Sequence, residues 1–270
     1  MSKVWKECDM KMNNFATFDP RKMSCVEIII PFRGKHSSVT ALMESIFKTV
    51  STNRYQITLI DDGSENDSFI IEINKSKMPG VVCMRHDKSE GFGSSLNSVI
   101  QNPKNEWIPW VLIVHSDVIV EGSAWLASLG TSMQKLKNNG VKMISPRTNN
   151  PGDSLQALFE EKKINKRENP CEDFILTEDQ YLPLYCALCH RDLFRHIGIF
   201  KEFPLAGCEA QEFAIRMRRH GFLQAICGSS WVQHEGGGTL GGLDEKDQEL
   251  LRKTRHDFET KMNLTKNNSG

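Results

Sequence analysis

The chain has 270 residues, its 34 Lys and Arg balanced by 34 Asp and Glu, and 39% of it is hydrophobic. That length holds one large domain or two small ones with a sizeable core. A zero net charge excludes a sequence-independent nucleic-acid binder, which needs a positive field to collect phosphates. The longest apolar run, Trp107–Val114, is broken by Pro109 and is far short of the ~20 residues of a membrane span. The opening MSKVWKECDMKMNN holds no apolar signal core. A cytoplasmic chain with no transmembrane segment and no nucleic-acid partner is expected; its oligomeric state is left open.

The predicted elements alternate. Cys25–Pro31 is a short β-branched run stopped by proline, the pattern of a fully buried parallel strand. Ser37–Val50 carries apolar residues at helical spacing. Tyr55–Ile60 is a second strand and ends in Asp61-Asp62-Gly63-Ser64. Gly80–Arg85 is a third and leads through Gly91-Phe92-Gly93 into a helix over Ser94–Ile100. Trp110–Val114 is a fourth and ends in His115-Ser116-Asp117. This alternation predicts βαβ units, a mostly parallel central sheet flanked by helices, and ligands beyond the carboxyl ends of the strands.

The second half is less regular. Lys142–Pro146 reads as a strand, Glu160–Asn169 as a solvated loop or exposed helix, and Tyr181–Cys189 as a strand running into a helix over Arg191–Ile197. Glu209–His220 is a helix stopped by Gly221. Ala225–Cys227 and Trp231-Val232 follow as short apolar pieces, then the loop His234–Thr239. Residues 244–270 read as a frayed, charged tail.

Eight cysteines lie scattered at 8, 25, 83, 171, 186, 189, 208 and 227. Cys186-Ala187-Leu188-Cys189-His190 matches a haem-attachment pentad. It sits in a strand-like segment and lacks a second CxxC pair, so core thiols are expected.

Four polar clusters could carry chemistry. Carboxylates at Asp61-Asp62 can accept hydrogen bonds from a base or ribose, although Asp-Gly also simply favours a turn. Asp117, closing a strand, offers oxygen to Mg²⁺ or Mn²⁺, while the imidazole of His115 suits Mn²⁺ better. His234 stands beside a glycine-rich loop able to approach phosphate oxygens. Glu209 and Glu212 share one side of their helix, where either could be a general base or merely a cap and an ion pair. Gly91-Phe92-Gly93 lacks the third glycine of a dinucleotide fingerprint, and Arg33-Gly34-Lys35 lacks the upstream glycine of a P-loop.

In this order the pieces VEIIIPFRG, YQITLIDDGSEND, MRHDKSEGFGSSLNSVI, WVLIVHSD, GCEAQEFAIRMRRHGF and VQHEGGGT resemble the family-two glycosyltransferases of GT-A fold. The resemblance runs from about Val26 to Thr239. It implies a single Rossmann-type GT-A domain over 25–240, with a nucleotide-binding half at about 25–122 and an acceptor half at about 141–240. An extension over 1–24 and a tail over 241–270 flank it.

It further implies an inverting hexosyl- or deoxyhexosyl-transferase. The donor would be a nucleoside-diphosphate sugar, the acceptor a glycan or other hydroxyl compound, and the cofactor Mn²⁺ or Mg²⁺. Pro31, Arg33, Asp62, Gly91 and Ser116 fall at nucleotide-sugar positions, and Asp117, His234 and His115 at metal positions. The sequence departs from the family pattern twice. His115 stands at the first acidic place of the DxD motif, and Ala210 stands where the base motif carries Asp. The base is then Glu209 or Glu212, with Glu209 favoured for its reach. Both departures keep open a non-catalytic sugar-nucleotide or glycan-binding module; a nucleotidyltransferase is the other alternative.

Overall fold

The computed structural model describes residues 26–50, 55–205, 207–236 and 245–267; the predicted N-terminal extension, Cys8, Cys25 and most of the 236–239 glycine loop lie outside them. Nine strands form one sheet: β1 (Val26–Phe32), β2 (Tyr55–Asp62), β3 (Val81–His86), β4 (Trp110–Val114), β5 (Val118–Val120), β6 (Val141–Thr148), β7 (Phe174–Ile175), β8 (Cys186–His190) and β9 (Leu223–His234). The helices are α1 (His36–Thr49), α2 (Ser68–Ser76), α3 (Phe92–Ile100), α4 (Trp125–Leu136), α5 (Asp153–Glu161), α6 (Asp192–Ile197), α7 (Glu209–Arg219) and α8 (Glu245–Asn267).

The strands run in the order β3-β2-β1-β4-β8-β6-β9-β5, with β7 pairing against β9 off this path. The first four are wholly parallel. Antiparallel pairings enter at β8, β7 and β5, while β6 and β9 run parallel. Most paired residues are thus in parallel register, as the βαβ alternation predicts.

Alternation along the buried strands divides the core into two layers. Ile28 and Ile30 face the layer holding Leu42 and Ile46 of α1 and Leu129 of α4. Ile29 faces the layer holding Leu96 of α3 and Phe213 and Met217 of α7. Each fully buried Ile or Leu contributes about 1.5–3 kcal/mol, so the two faces stabilise the sheet cooperatively. Cys186 and Cys189, three residues apart on β8, fall in opposite layers, which rules out a shared haem or metal. Both are free thiols, and burial pushes Cys189 up to about 12.

The structure corrects several sequence expectations. The strand expected over Tyr181–Cys189 begins only at Cys186, because Pro183 and a left-handed Leu184 (φ 66°) break the extended run. The mixed-charge stretch over 160–169, by contrast, is mostly exposed as expected, the end of α5 followed by a loop. Its Ile164 and Lys166 carbonyls accept hydrogen bonds from buried Arg147. The two apolar pieces near 225 and 231 are one strand, β9. Its register jumps from Cys227 to Trp231 opposite Pro146 and Arg147, so residues 228–230 bulge out.

The expected frayed tail is instead α8. Phe258 is buried and meets the Phe203 ring edge-on at 5.6 Å. Among the described residues, no helix is long and apolar enough to cross a membrane.

Candidate active site

Strand order reverses at β1, whose neighbours β2 and β4 carry the chain in opposite directions along the sheet. Loops leaving β1 and β4 therefore diverge and open a crevice at their carboxyl ends. A cleft of about 520 Å³ lies there, lined by Pro31 and Arg33 from one loop and by His115, Ser116 and Asp117 from the other. Arg33 is exposed, whereas Ser116 and Asp117 are buried.

The paired aspartates ending β2 take different tasks. Asp61, fully buried, pairs with Arg85 and accepts from the Ser64 amide at 2.9 Å. Ser64 Oγ in turn accepts from the Gly34 amide at 2.7 Å, tying the β1 and β2 loops together. Asp62 lines the cleft but uses both oxygens to hold residues 86–91. Oδ1 meets His86 Nδ1 at 3.0 Å and accepts from the Glu90 amide at 2.8 Å. Oδ2 accepts from Ser89 Oγ at 2.7 Å and from the Gly91 amide at 3.1 Å.

A carboxylate has about four acceptor positions, and all four of Asp62's are filled. Burial alone would push its pKa up; the hydrogen bonds outweigh that and hold it below the usual carboxylate value. Gly91 therefore sits behind the cleft wall, its φ of 96° letting its amide reach Asp62. Gly63, at φ 69°, turns so close to the Lys88 backbone that a Cβ would meet it at 2.4 Å.

His115, Asp117 and His234 converge, each offering a ligand atom within 4.8 Å of the others. Register brings them together: Val118 of β5 pairs with His234 of β9, so Asp117 and His234 lie at one end of that ladder. The Asn149 side chain clamps the His234 backbone from both sides, accepting from its amide at 2.8 Å and donating to its carbonyl at 3.0 Å. His234 Nδ1 lies 2.8 Å from the Asn150 carbonyl, which can only accept. That contact places the proton of the neutral tautomer on Nδ1 and leaves Nε2, 3.4 Å from Asp117 Oδ1, as the ring atom that either donates to the carboxylate or offers a lone pair beside it.

Two lone-pair donors facing each other fit a cation between them. Burial, and after it the His234 charge, push His115 down to about 4, leaving it the neutral imidazole a metal requires. For Asp117 burial acts upward, but the two imidazoles outweigh it and hold the carboxyl at about 2. The residues present fit a divalent cation.

Across the cleft, α7 starts at Glu209, which is only 2% exposed. Its Oε2 accepts from the Gly207 amide at 2.7 Å, whereas Oε1 is buried with no hydrogen-bond partner among the described residues. Burial raises the Glu209 pKa despite its backbone donors. A carboxylate with an idle oxygen and a raised pKa has the properties of a general base.

Glu212 does not line the cleft. One turn along, it grips Arg216 through both oxygens at 2.8–2.9 Å, and Arg216 continues to the Ile197 and Ile199 carbonyls. Of the predicted site residues, the cleft gathers Pro31, Arg33, Asp62, Ser116, the His-Asp-His set and Glu209. It omits Gly91 and Glu212.

Sequence reasoning missed four contributors. Asn149 and Asn150 stand in a polar Asn-Asn-Pro cluster after β6, a loop signal readable as a site at a strand end. Tyr185 stacks on His234 at 5.4 Å, buried where only its apolar character was visible. Arg255 of α8 reaches the cleft with its Nε 3.1 Å from where a side chain on residue 207 would begin. Gly236 also lines the cleft; the rest of its loop lies outside the described residues.

An α/β sheet with a crevice at this switch point is an architecture that binds its ligand beyond the carboxyl ends of the strands. The family model described as glycosyl transferase family 2 matches residues 27–198, and the chain belongs to that family. No curated protein sequence matches the chain. Many solved structures share the fold, among them the following three.

The mannosyltransferase PcManGT from Pyrobaculum calidifontis, solved with GDP-Man and Mn²⁺, has a TM-score of 0.57 at 12% identity, covering 77% of this chain and 56% of that one. GalNAc-T7, solved with UDP, GalNAc and Mn²⁺, gives 0.61 at 16% identity, covering 78% and 43%. Residues 1–349 of S. aureus TarS, solved with UDP-GlcNAc, give 0.54 at 16% identity, covering 84% and 64%. The chain thus spans 43–64% of the length of these structures.

Proposed function

We propose that this glycosyltransferase moves a hexosyl or deoxyhexosyl group from a nucleoside-diphosphate sugar to an acceptor hydroxyl, with inversion at the anomeric carbon. One observation carries this reading: Glu209, whose buried Oε1 has no partner among the described residues, lines the same cleft as His115, Asp117 and His234.

The nucleotide would lie over Pro31, Arg33, Asp62 and Ser116, in a half spanning about 25–122. The acceptor would enter from the half at about 141–240, with α8 as an added wall. Glu209 takes the proton from the acceptor hydroxyl as that oxygen attacks opposite the diphosphate, a single displacement that needs one base. Asp117, His234 and His115 would hold Mn²⁺ or Mg²⁺, whose positive charge would offset the charge developing on the leaving diphosphate. Asn149 and Asn150 keep His234 in register and in the right tautomer. Asp62 acts by shaping the 86–91 loop that floors the pocket.

The test is product analysis. A donor with known anomeric configuration should release nucleoside diphosphate and yield a product of opposite configuration by NMR. Pyrophosphate release would instead identify a nucleotidyltransferase, and donor binding without turnover would identify a binding module.

A further inference from the structure

We propose that Tyr181, Asp153, Arg255 and Glu259 form an acceptor subsite that takes a neutral saccharide and discriminates against one bearing phosphate. The inference rests on the transferase reading of the cleft, which all four residues line.

Strand direction places the subsite. β8 runs antiparallel to β4 and β6, so the segment entering it lies at the same end of the sheet as the carboxyl ends of those two strands. Tyr181 comes from that segment, and Asp153 opens α5, which follows β6. Both stand on the far side of β4 from β1 and β2, whose ends carry Arg33 and Asp62. A nucleotide lying over β1 and β2 leaves this side of the crevice to the second substrate. Arg255 and Glu259, one turn apart on α8, complete it.

The backbone around Tyr181 is anchored. Its carbonyl accepts from Ser154 Oγ at 2.8 Å, the Leu182 amide donates to Gln224 Oε1 at 3.1 Å, and Arg218 donates to the Gln180 carbonyl. The four side chains themselves make no hydrogen bond or ion pair among the described residues. Burial raises the pKa of the Tyr181 phenol, and the charges of Arg255, Asp153 and Glu259 also bear on it, so the four groups share one neighbourhood.

A saccharide fits this set. Each hydroxyl both donates and accepts, so neighbouring hydroxyls can serve a carboxylate and a guanidinium at once, while the C–H face of the ring packs on the phenol. Two carboxylates against one guanidinium leave the subsite net negative, which repels phosphate. Asp153 also occupies the first turn of α5, the positive helix end that a phosphate would seek.

The experiment is saturation-transfer NMR titration of the full-length protein without donor. The probes are the methyl pyranosides of glucose, galactose, mannose and N-acetylglucosamine, and the 6-phosphates of the same glycosides. Expected are binding of at least one neutral glycoside, roughly fivefold or more weaker binding of its 6-phosphate, and a loss of similar size in Tyr181→Ala. Should Tyr181→Ala fail to fold, Arg255→Ala provides the same readout. Glu259→Gln removes one negative charge and should narrow the gap between neutral and phosphorylated sugar several-fold. Phosphorylated sugars binding as tightly as neutral ones, neutral binding untouched by the Tyr181 and Arg255 variants, or no binding of any probe would each overturn the subsite. The transferase reading is judged separately, by release of nucleoside diphosphate from a donor, and survives all three results.

Discussion

His234 Nε2 lies 3.4 Å from Asp117 Oδ1, although the two residues come from opposite halves of the chain. The pairing of β5 with β9 creates this proximity, and the Glu235 amide reinforces it by donating to the Asp117 carbonyl at 3.1 Å. Asp117→Ala should therefore reduce transfer by at least about a hundredfold while the protein stays folded. Turnover assays alongside circular dichroism check this; wild-type turnover in the variant would refute the site.

Glu209→Gln should lower kcat by roughly 10²–10⁴ with little change in donor binding. The same change should stabilise the fold at neutral pH. Because burial raises the folded-state pKa, Glu209 costs nothing below its ordinary value of 4.5, and a penalty grows as pH rises through the folded value. Melting temperatures of the two proteins should coincide near pH 4 and separate toward pH 7, with the variant higher.

Glu212→Gln offers the contrast. It loosens the bidentate grip on Arg216, which also holds the Ile197 and Ile199 carbonyls, and should cost about 1 kcal/mol of stability. Its kcat should stay within about twofold of wild type, since the carboxylate is paired with Arg216 and is not among the residues lining the cleft. Denaturant melts and steady-state kinetics together separate the two glutamates.

Asp62→Ala should release residues 86–91. Hydrogen exchange at the Glu90 and Gly91 amides should accelerate, and donor KM should rise about tenfold or more with the loss of a formed pocket floor. The lowered pKa gives wild-type Asp62 a stabilising contribution that is complete above its ordinary 3.8 and is lost as pH falls through the folded value. The stability gap between wild type and variant should accordingly narrow in strong acid.

Arg255→Ala should raise KM for a substrate several-fold with kcat nearly unchanged, because Arg255 lines the cleft and a guanidinium neither ligates a cation nor serves as a base. Initial-rate measurements with donor and acceptor varied in turn would show which of them it holds. No change in either KM would make α8 a packing element alone.

The nucleotide half of the fold was legible because its strands are short, fully buried and punctuated. Ile28–Ile30, Leu59-Ile60 and Val111–Val114 read as strands at sight, and the polar residues after them fell where the switch-point rule puts ligands. Asp117, His234 and Glu209 could be nominated that way. Their companions were harder to see, because Asn149, Asn150 and Tyr185 act through hydrogen bonds and stacking that appear only when β6, β8 and β9 lie side by side. The charge-rich α8, whose mean hydropathy is low, looked like a solvated tail, since one buried ring, Phe258, supplies its visible anchor. Helices α2 and α4 escaped notice between stronger signals, though Ile70, Leu126 and Leu129 are buried in the core.

Because α8 starts at Glu245, beyond the span that the family model recognises, trimming the protein back to that span would remove the Arg255 and Glu259 side of the cleft along with α7 and β9. A milder cut, just before α8, would keep Asp117, His234 and Glu209 and would be expected to leave the cleft open to water, so that donor is hydrolysed wastefully.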